Sequence, residues 1–394
     1  MASRAKPVSR ATACIDTTIG RLGTHALHRA VIRRSSWLLS SNAFSVRPIF
    51  MKLAIGIGGY SHEELPSQID YVVAAEALGV DTVWSAEGWG EDAVTSLAYL
   101  AARTKKIQLG TGIMQISARV PAMTAMTAQS MAMLSGNRFL LGLGTSGPQV
   151  VEGLHGVPYR APLTRLRENV EIIRLALSGE KLTYTGTHHQ LPLPNGEGKA
   201  LRLSTPAVKV PIYLATLGPR ALHYTGAAAD GWLGASFSPD FAEAHLAYLR
   251  AGAESAGRTL ADIDKHMPCF VSIGDDLEAL IEQRRPQVAF SLGAMGSQST
   301  NFYNDAFRRA GFEDDARAVQ ELWLAGKREQ AIARVPDILV TAFGAVGTPA
   351  MVQAQLQKYK DIGMNTLVLR FASDDAKIRL GLVEQVVELV KRLA

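Results

Sequence analysis

IQLGTGIMQISARVPAMTAMTAQSMAMLSGNRFLLGLGTSGPQ, residues 107 to 149, is the stretch whose reading decides the fold. Ile107 to Met114 and Phe139 to Leu143 are short apolar runs bounded by turn residues, the signature of strands buried on both faces of a parallel sheet. Between them Pro121 stands where a first helical turn begins, and Gly136 and Asn137 stop that helix before Arg138 leads into the next strand. Strand, crossover helix and parallel strand make one βαβ unit. The fold then depends on how often the unit recurs.

Working outward, it recurs throughout. Upstream, Leu53 to Ile57 and Val80 to Ser85 read as strands, each followed by a helix, the second capped by Asp92. Downstream, Leu166 to Leu177 has helical spacing, and the Gly- and Pro-rich Tyr184 to Ser204 reads as an inserted hairpin or loop. Val210 to Ala215, Trp232 to Ala235, Cys269 to Ile273 and Asn365 to Phe371 are further strands, with a long helical segment from Asp275 to about Arg334 before the last of them. Eight strands alternating with helices predict a single (β/α)8 barrel with insertions at its carboxyl-end mouth, in preference to a doubly wound open sheet. Functional groups are then expected at the carboxyl ends of the strands.

Residues 1–50 differ in kind. They carry seven Arg and one Lys against Asp16 alone, a net +7. Residues 51–394 hold 33 of the 41 basic and 35 of the 36 acidic residues, a net −2, so the chain's +5 is no argument for nucleic-acid binding. An Arg- and Ser-rich start reads either as a transit-like segment or as sequence upstream of a start at Met51. We expect 1–50 to be a disordered extension and 51–394 the catalytic domain. Two cysteines, Cys14 and Cys269, give no disulfide framework and no metal spacing, which fits a reducing, cytoplasmic compartment and no metal. No apolar run is long enough to cross a membrane.

Gly142, Gly144 and Gly147 spell GxGxxG, but after the fourth strand, with Pro148 in the turn and no strand-borne acid about twenty residues on. These glycines instead suit a strand ending close to something flat. Gly218 and Pro219 open a helix directly after a strand, where backbone N–H groups could face an anion with Arg220 beside them. His188 and His189 fall in the insertion and are expected to be solvated. Glu87, directly after the second strand and near Trp89, is a candidate proton donor with a raised pKa, or a plain loop carboxylate. Tyr60, Trp89 and Met114 suggest an apolar pocket lining.

LGTGIMQISARVPAMTAMTAQSMAMLSGNRFLLGLGTSGPQVVEGLHG, TRLRENVEIIRLALSGE, PIYLATLGPRALHYTGAAADGWL and VGTPAMVQAQLQKYKDIGMNTLVLRF, in that order, resemble the luciferase-like superfamily of flavin and deazaflavin oxidoreductases, and most closely its coenzyme F420-dependent branch. The resemblance covers 51–394. It implies a barrel holding an isoalloxazine-like ring at the strand ends, with a non-prolyl cis peptide at Gly112–Ile113 supporting one ring face. It carries cofactor contact onto Gly144, Thr145, Ser146 and Gly147, and phosphate-side contact onto Ala215, Thr216, Leu217, Gly218, Pro219 and Arg220. It also implies a homodimer. The expected activity is hydride transfer between F420 and a small organic substrate, with Glu87 in proton transfer. The alternative is a monooxygenase using reduced FMN, whose phosphate Arg220 could hold. A barrel that binds ligand without catalysis is a third reading.

Overall fold

Eight parallel strands close on themselves: β1 Lys52–Ile57, β2 Thr82–Ser85, β3 Gln108–Thr111, β4 Phe139–Gly144, β5 Ile212–Ala215, β6 Gly231–Leu233, β7 Asp264–Ile273 and β8 Thr366–Arg370. Each pairs with the next, and β8 returns to β1 in the register Lys52↔Thr366 to Ala54↔Val368. This computed structural model describes residues 51–295 and 301–393. The expectation for residues 1–50 lies outside them. Within the unit that holds the barrel, the (β/α)8 architecture is as expected, and the closure rules out the open sheet.

The ring of helices comprises α1 Leu65–Ala77, α2 Ala93–Arg103, α3 Pro121–Ser135, α4 Pro162–Leu177, α5 Pro219–Ala228, α6 Glu243–Ser255, α7 Pro349–Asp361 and α8 Ala376–Lys391. Their ends follow the signals in the sequence. Asp92 accepts from the amides of Val94 and Thr95 at 2.8 and 2.9 Å. Pro121 opens α3, and Gly136 ends it in the left-handed region at φ 63°. The stretch Tyr184 to Ser204 does contain a hairpin, Tyr184–Thr185 against Gln190–Leu191. A helical insertion follows β7, and its last piece, Ala345–Gly347, adds a short strand to the outer end of β7.

Strand alternation sorts the side chains. Leu53, Ile55 and Ile57 pack outward against the helices, whereas Ala54, Trp84, Leu140, Tyr213 and Val368 form a separate cluster in the lumen. The rings of Trp84, Tyr213 and His266 meet edge to face with centroids 5.2 to 5.5 Å apart. A Cβ on Gly110 would overlap the Trp84 ring, so that glycine is what admits the indole. The barrel is therefore plugged, and only its mouth is open chemistry.

Two strands differ most from their expected extents. β7 begins at Asp264, five residues before the apolar run. Its first residues are polar because they answer one another: Asp264 accepts from the Tyr213 hydroxyl at 2.7 Å and lies 3.2 Å from His266 Nε2, and the Lys265 ammonium donates to the carbonyls of Leu260 and Ile263. β3 is shorter than expected. It stops pairing at Thr111, the chain turns at Gly112–Ile113, and Met114–Gln115 then pairs with β4.

Candidate active site

The turn after β3 and the turn after β4 are built against each other. Gly112–Ile113 is a cis peptide, at the bond the sequence comparison singled out. A Cβ on Gly144 would stand 2.9 Å from Ile113 Cδ1, so the glycine makes room for that side chain. Gly142 has a different reason. A Cβ there would overlap the Thr111 carbonyl oxygen, while the Thr111 hydroxyl donates to the Gly142 carbonyl and accepts from its amide, both at 2.9 Å. Beyond Gly144, Thr145, Ser146 and Gly147 are half-buried at the mouth, with Ser146 in the left-handed region at φ 54°. The Tyr159 hydroxyl donates to the Ser146 carbonyl at 3.0 Å; burial raises its pKa, and a hydrogen bond with Thr145 opposes the rise.

Glu87 binds this turn from the β2 side. Its amide donates to the Ile113 carbonyl at 2.9 Å, Oε2 accepts from the Gln115 amide at 2.9 Å, and Oε1 lies 2.6 Å from Arg119 Nη1. The carboxylate is 8 % exposed, and both oxygens are engaged. Trp89 is 80 % exposed, so an indole-lined pocket around Glu87 is not what forms. Met114 is fully buried core, and Tyr60 is half-buried against the same core.

The turn after β5 is held from three sides. Ala215 ends the strand, Gly218 caps α5 and Pro219 is its first residue. The Thr216 side chain faces α5, with Oγ1 2.7 Å from that of Thr225, and its carbonyl accepts from Trp232 Nε1. The carbonyl of Leu217 accepts from Arg309 of the insertion at 2.7 Å, which fastens the insertion over this turn. Arg220 is exposed and has no ion pair among the described residues.

A cavity of about 40 Å³ adjoins Thr145 and is lined by Ser117, Tyr159, Arg160, Arg165 and His189 among others. The expectation that His188 and His189 are solvated is corrected here. Buried Glu168, on α4, accepts from the amides of Thr187, His188 and His189 and lies 2.8 Å from His189 Nδ1. Burial acts to raise the Glu168 pKa, but these hydrogen bonds outweigh it and hold the carboxyl below its ordinary value. Helix and hairpin are thus joined by one carboxylate, a pairing nineteen or more residues apart that spacing does not reveal. A larger surface depression of about 440 Å³, at Glu282, Arg285 and Ala333 to Asp337, lies among the insertion helices. Its Arg285 is already paired with Glu282 and Asp337.

The chain matches the luciferase-like monooxygenase family over residues 48–366. It belongs to that family. Among luciferase-like relatives, a Mycobacterium tuberculosis protein named as a coenzyme F420-dependent oxidoreductase, Rv3520c, is 36 % identical over 332 residues, covering 82 % of this chain and 96 % of the relative. The 5,10-methylenetetrahydromethanopterin reductase of Methanolobus tindarius is 31 % identical over 302 residues, 76 % and 88 % of the two chains. The structure of the coenzyme F420-dependent tetrahydromethanopterin reductase of Methanopyrus kandleri superposes with a TM-score of 0.69 at 25 % identity, covering 86 % of this chain and 98 % of that one. Among the described residues no cluster of three His, Cys, Asp or Glu is placed to hold a metal, and no helix is long and apolar enough to cross a membrane.

One mouth residue of this luciferase-like barrel was not singled out in the sequence. Arg370 ends β8 in the lumen-facing phase of Val368 and is exposed although Thr366 to Leu369 are buried. A charged residue closing an apolar strand at that phase was the available signal.

Proposed function

We propose that the protein is a cytoplasmic F420-dependent oxidoreductase that moves a hydride between the deazaflavin and a small organic substrate at the barrel mouth. The observation that carries the reading is the packing of Gly144 against Ile113, within a chain similar along most of its length to relatives named for coenzyme F420. The residues at the mouth fit such a group. Gly112, Ile113 and the glycine-bearing turn Gly144 to Gly147 are suited to a flat group, and Ser117, Thr145, Arg160 and Arg165, around the small cavity beside that turn, are polar or cationic groups suited to an anionic extension. When bound, F420 supplies two-electron hydride chemistry.

The chain's own residues bind, orient and exclude water. Ile113 would support one face of a bound ring, and Thr145, Ser146 and Gly147 would hold its edge. Ala215, Thr216, Leu217 and Gly218 with Pro219 shape the far rim, with the α5 N-terminus toward negative charge. The plug of Trp84, Tyr213 and His266 closes the barrel below the site, and the Arg309–Leu217 bond keeps the insertion over it. Glu87 is a positioning residue, because a carboxylate clamped by Arg119 and Gln115 sets the turn that carries Ile113.

The exposed stripe Met123, Met126, Met133 and Leu134 on α3, beside Tyr99 of α2, supports a homodimer through these helices. Unpaired Arg220 at the first turn of α5 favours the second reading, a reduced-FMN monooxygenase, since a guanidinium there suits a terminal phosphate.

Titrating the protein with F420 and with FMN, each followed by fluorescence, separates the readings. Tight F420 and weak FMN are expected. FMN preference with oxygen uptake during turnover would transfer the case to the monooxygenase.

A further inference from the structure

The carboxyl ends of β8 and β1 lie side by side at the mouth. Ala54 pairs with Val368, so Gly56 lies opposite Arg370, and both are in the lumen phase. The side chain of Arg370 crosses directly over Gly56: a Cβ on that glycine would stand 2.5 Å from Nη1 and 3.2 Å from Cζ. Beside it lies a second guanidinium. Arg379, in the first turns of α8, donates to Gln68 Oε1 at 3.0 Å and to the Gly56 carbonyl at 2.8 Å, and rests 4.3 Å over the Tyr71 ring.

Every described partner of Arg379 is neutral. Arg370 has no hydrogen bond or ion pair among the described residues, and no carboxylate there lies within 4.0 Å of either arginine. The Tyr71 hydroxyl, buried on α1, lies near both, and the two guanidinium charges oppose the rise in its pKa that burial causes. Two neighbouring cations among barrel atoms, one with its whole donor fork free, are unfavourable in isolation and are relieved by an anion. Arg370 is exposed at the carboxyl end of an otherwise buried strand. Burial and the charge of Arg379 both lower its pKa, although a guanidinium stays cationic at any physiological pH.

We propose that Arg370, spanning Gly56 beside Arg379 in the barrel mouth, is the subsite for a carboxylate carried by the substrate. This rests on the reading that substrate reacts at this mouth. The free group is a single planar fork, which matches the two oxygens of one carboxylate, whereas a phosphate dianion calls for more donors than Arg379 can spare. Below it the lumen presents Val368 and the rings of Trp84 and Tyr213, so the rest of the molecule is apolar. The substrate class is a hydrophobic organic acid with its reducible or oxidisable carbon short of the carboxylate.

The test uses calorimetric titration of the full chain with benzoate, benzamide and phenyl phosphate, and of R370M and G56A with benzoate and F420. Benzoate is expected to bind, benzamide to bind about tenfold more weakly or worse, and R370M to lose the difference. G56A keeps the charge but displaces the fork, and should weaken benzoate with F420 affinity retained. Equal affinity for benzoate and benzamide, preference for phenyl phosphate, no binding of benzoate, or benzoate binding undiminished in R370M each overturns the subsite. So does an R370M protein that loses F420 affinity, because the arginine then belongs to the cofactor. Benzoate binding that depends on Arg370 in a chain with no affinity for F420 would instead uphold the subsite and remove the F420 reading.

Discussion

The amide of Glu87 donates to the Ile113 carbonyl at 2.9 Å, and the carboxylate of the same residue reaches round the turn to the Gln115 amide and to Arg119. One residue therefore grips the segment that directly follows the cis peptide Gly112–Ile113. A positioning part makes a different prediction from a proton donor. E87Q and R119M should each destabilise the fold by about 1–3 kcal/mol, and the double variant should cost clearly less than their sum, because either change alone breaks the same contact. Urea unfolding measures the cycle. Single-turnover hydride transfer in E87Q should keep the pH profile of the parent; a profile that loses one limb would return Glu87 to proton transfer.

Gly142 and Gly144 stand two residues apart in β4 and should fail differently. The overlap at Gly142 is with the Thr111 carbonyl, part of β3, and backbone cannot give way. Gly142→Ala should lose about 3 kcal/mol or more, or fail to fold. The neighbour of Gly144 is the far end of the Ile113 side chain, which can rotate. Gly144→Ala should change the melting temperature little and weaken F420 binding about tenfold, through displacement of Ile113 toward the ring. Thermal melts and fluorescence titration of both variants decide this, and equal melting temperatures would contradict it.

His245 on α6 is 1 % exposed, packs against Trp232 and Phe237, and has no hydrogen-bond partner on either nitrogen among the described residues. Burial, with a smaller contribution from Arg309, lowers its pKa to about 3. Between its unfolded value near 6.5 and about 3, the unfolded chain binds a proton that the folded chain refuses. Stability from this residue is complete above the unfolded value and falls as pH drops through that window. His245→Phe should flatten the stability loss between about pH 6 and pH 4 by close to one proton per molecule. Denaturant titrations across that range would show it.

The stripe on α3 predicts its own disruption. Met133→Glu places a charge in the centre of an exposed apolar face, where burial against a second copy would be unfavourable. Light scattering after gel filtration should report a dimer for the parent chain and a monomer for the variant, each with an unchanged circular dichroism spectrum. A parent that runs as a monomer ends the proposal.

The eight-strand barrel was legible because its evidence is local. Apolar runs of strand length, Pro121 at a helix start, Asp92 as a cap and Gly136 in the left-handed region each act on neighbours in sequence, and their repetition fixes the architecture. The amino acid order also located the turns at Gly144 and Gly218, whereas Gly112 read as part of a strand and only the family resemblance marked its bond to Ile113. It did not reveal the start of β7, since Asp264, Lys265 and His266 read as loop until Tyr213 and the carbonyls of Leu260 and Ile263 are brought to them. Nor did it reveal that Glu168 ties down His188 and His189, that Glu87 pairs with Arg119, or that Arg370 crosses Gly56 with no anion beside it among the described residues. These are relations between residues far apart in the chain, set by closure of the barrel and by which face of each strand looks into the lumen. Sequence periodicity determines that a side chain points inward; only the closed ring of strands decides what it meets there.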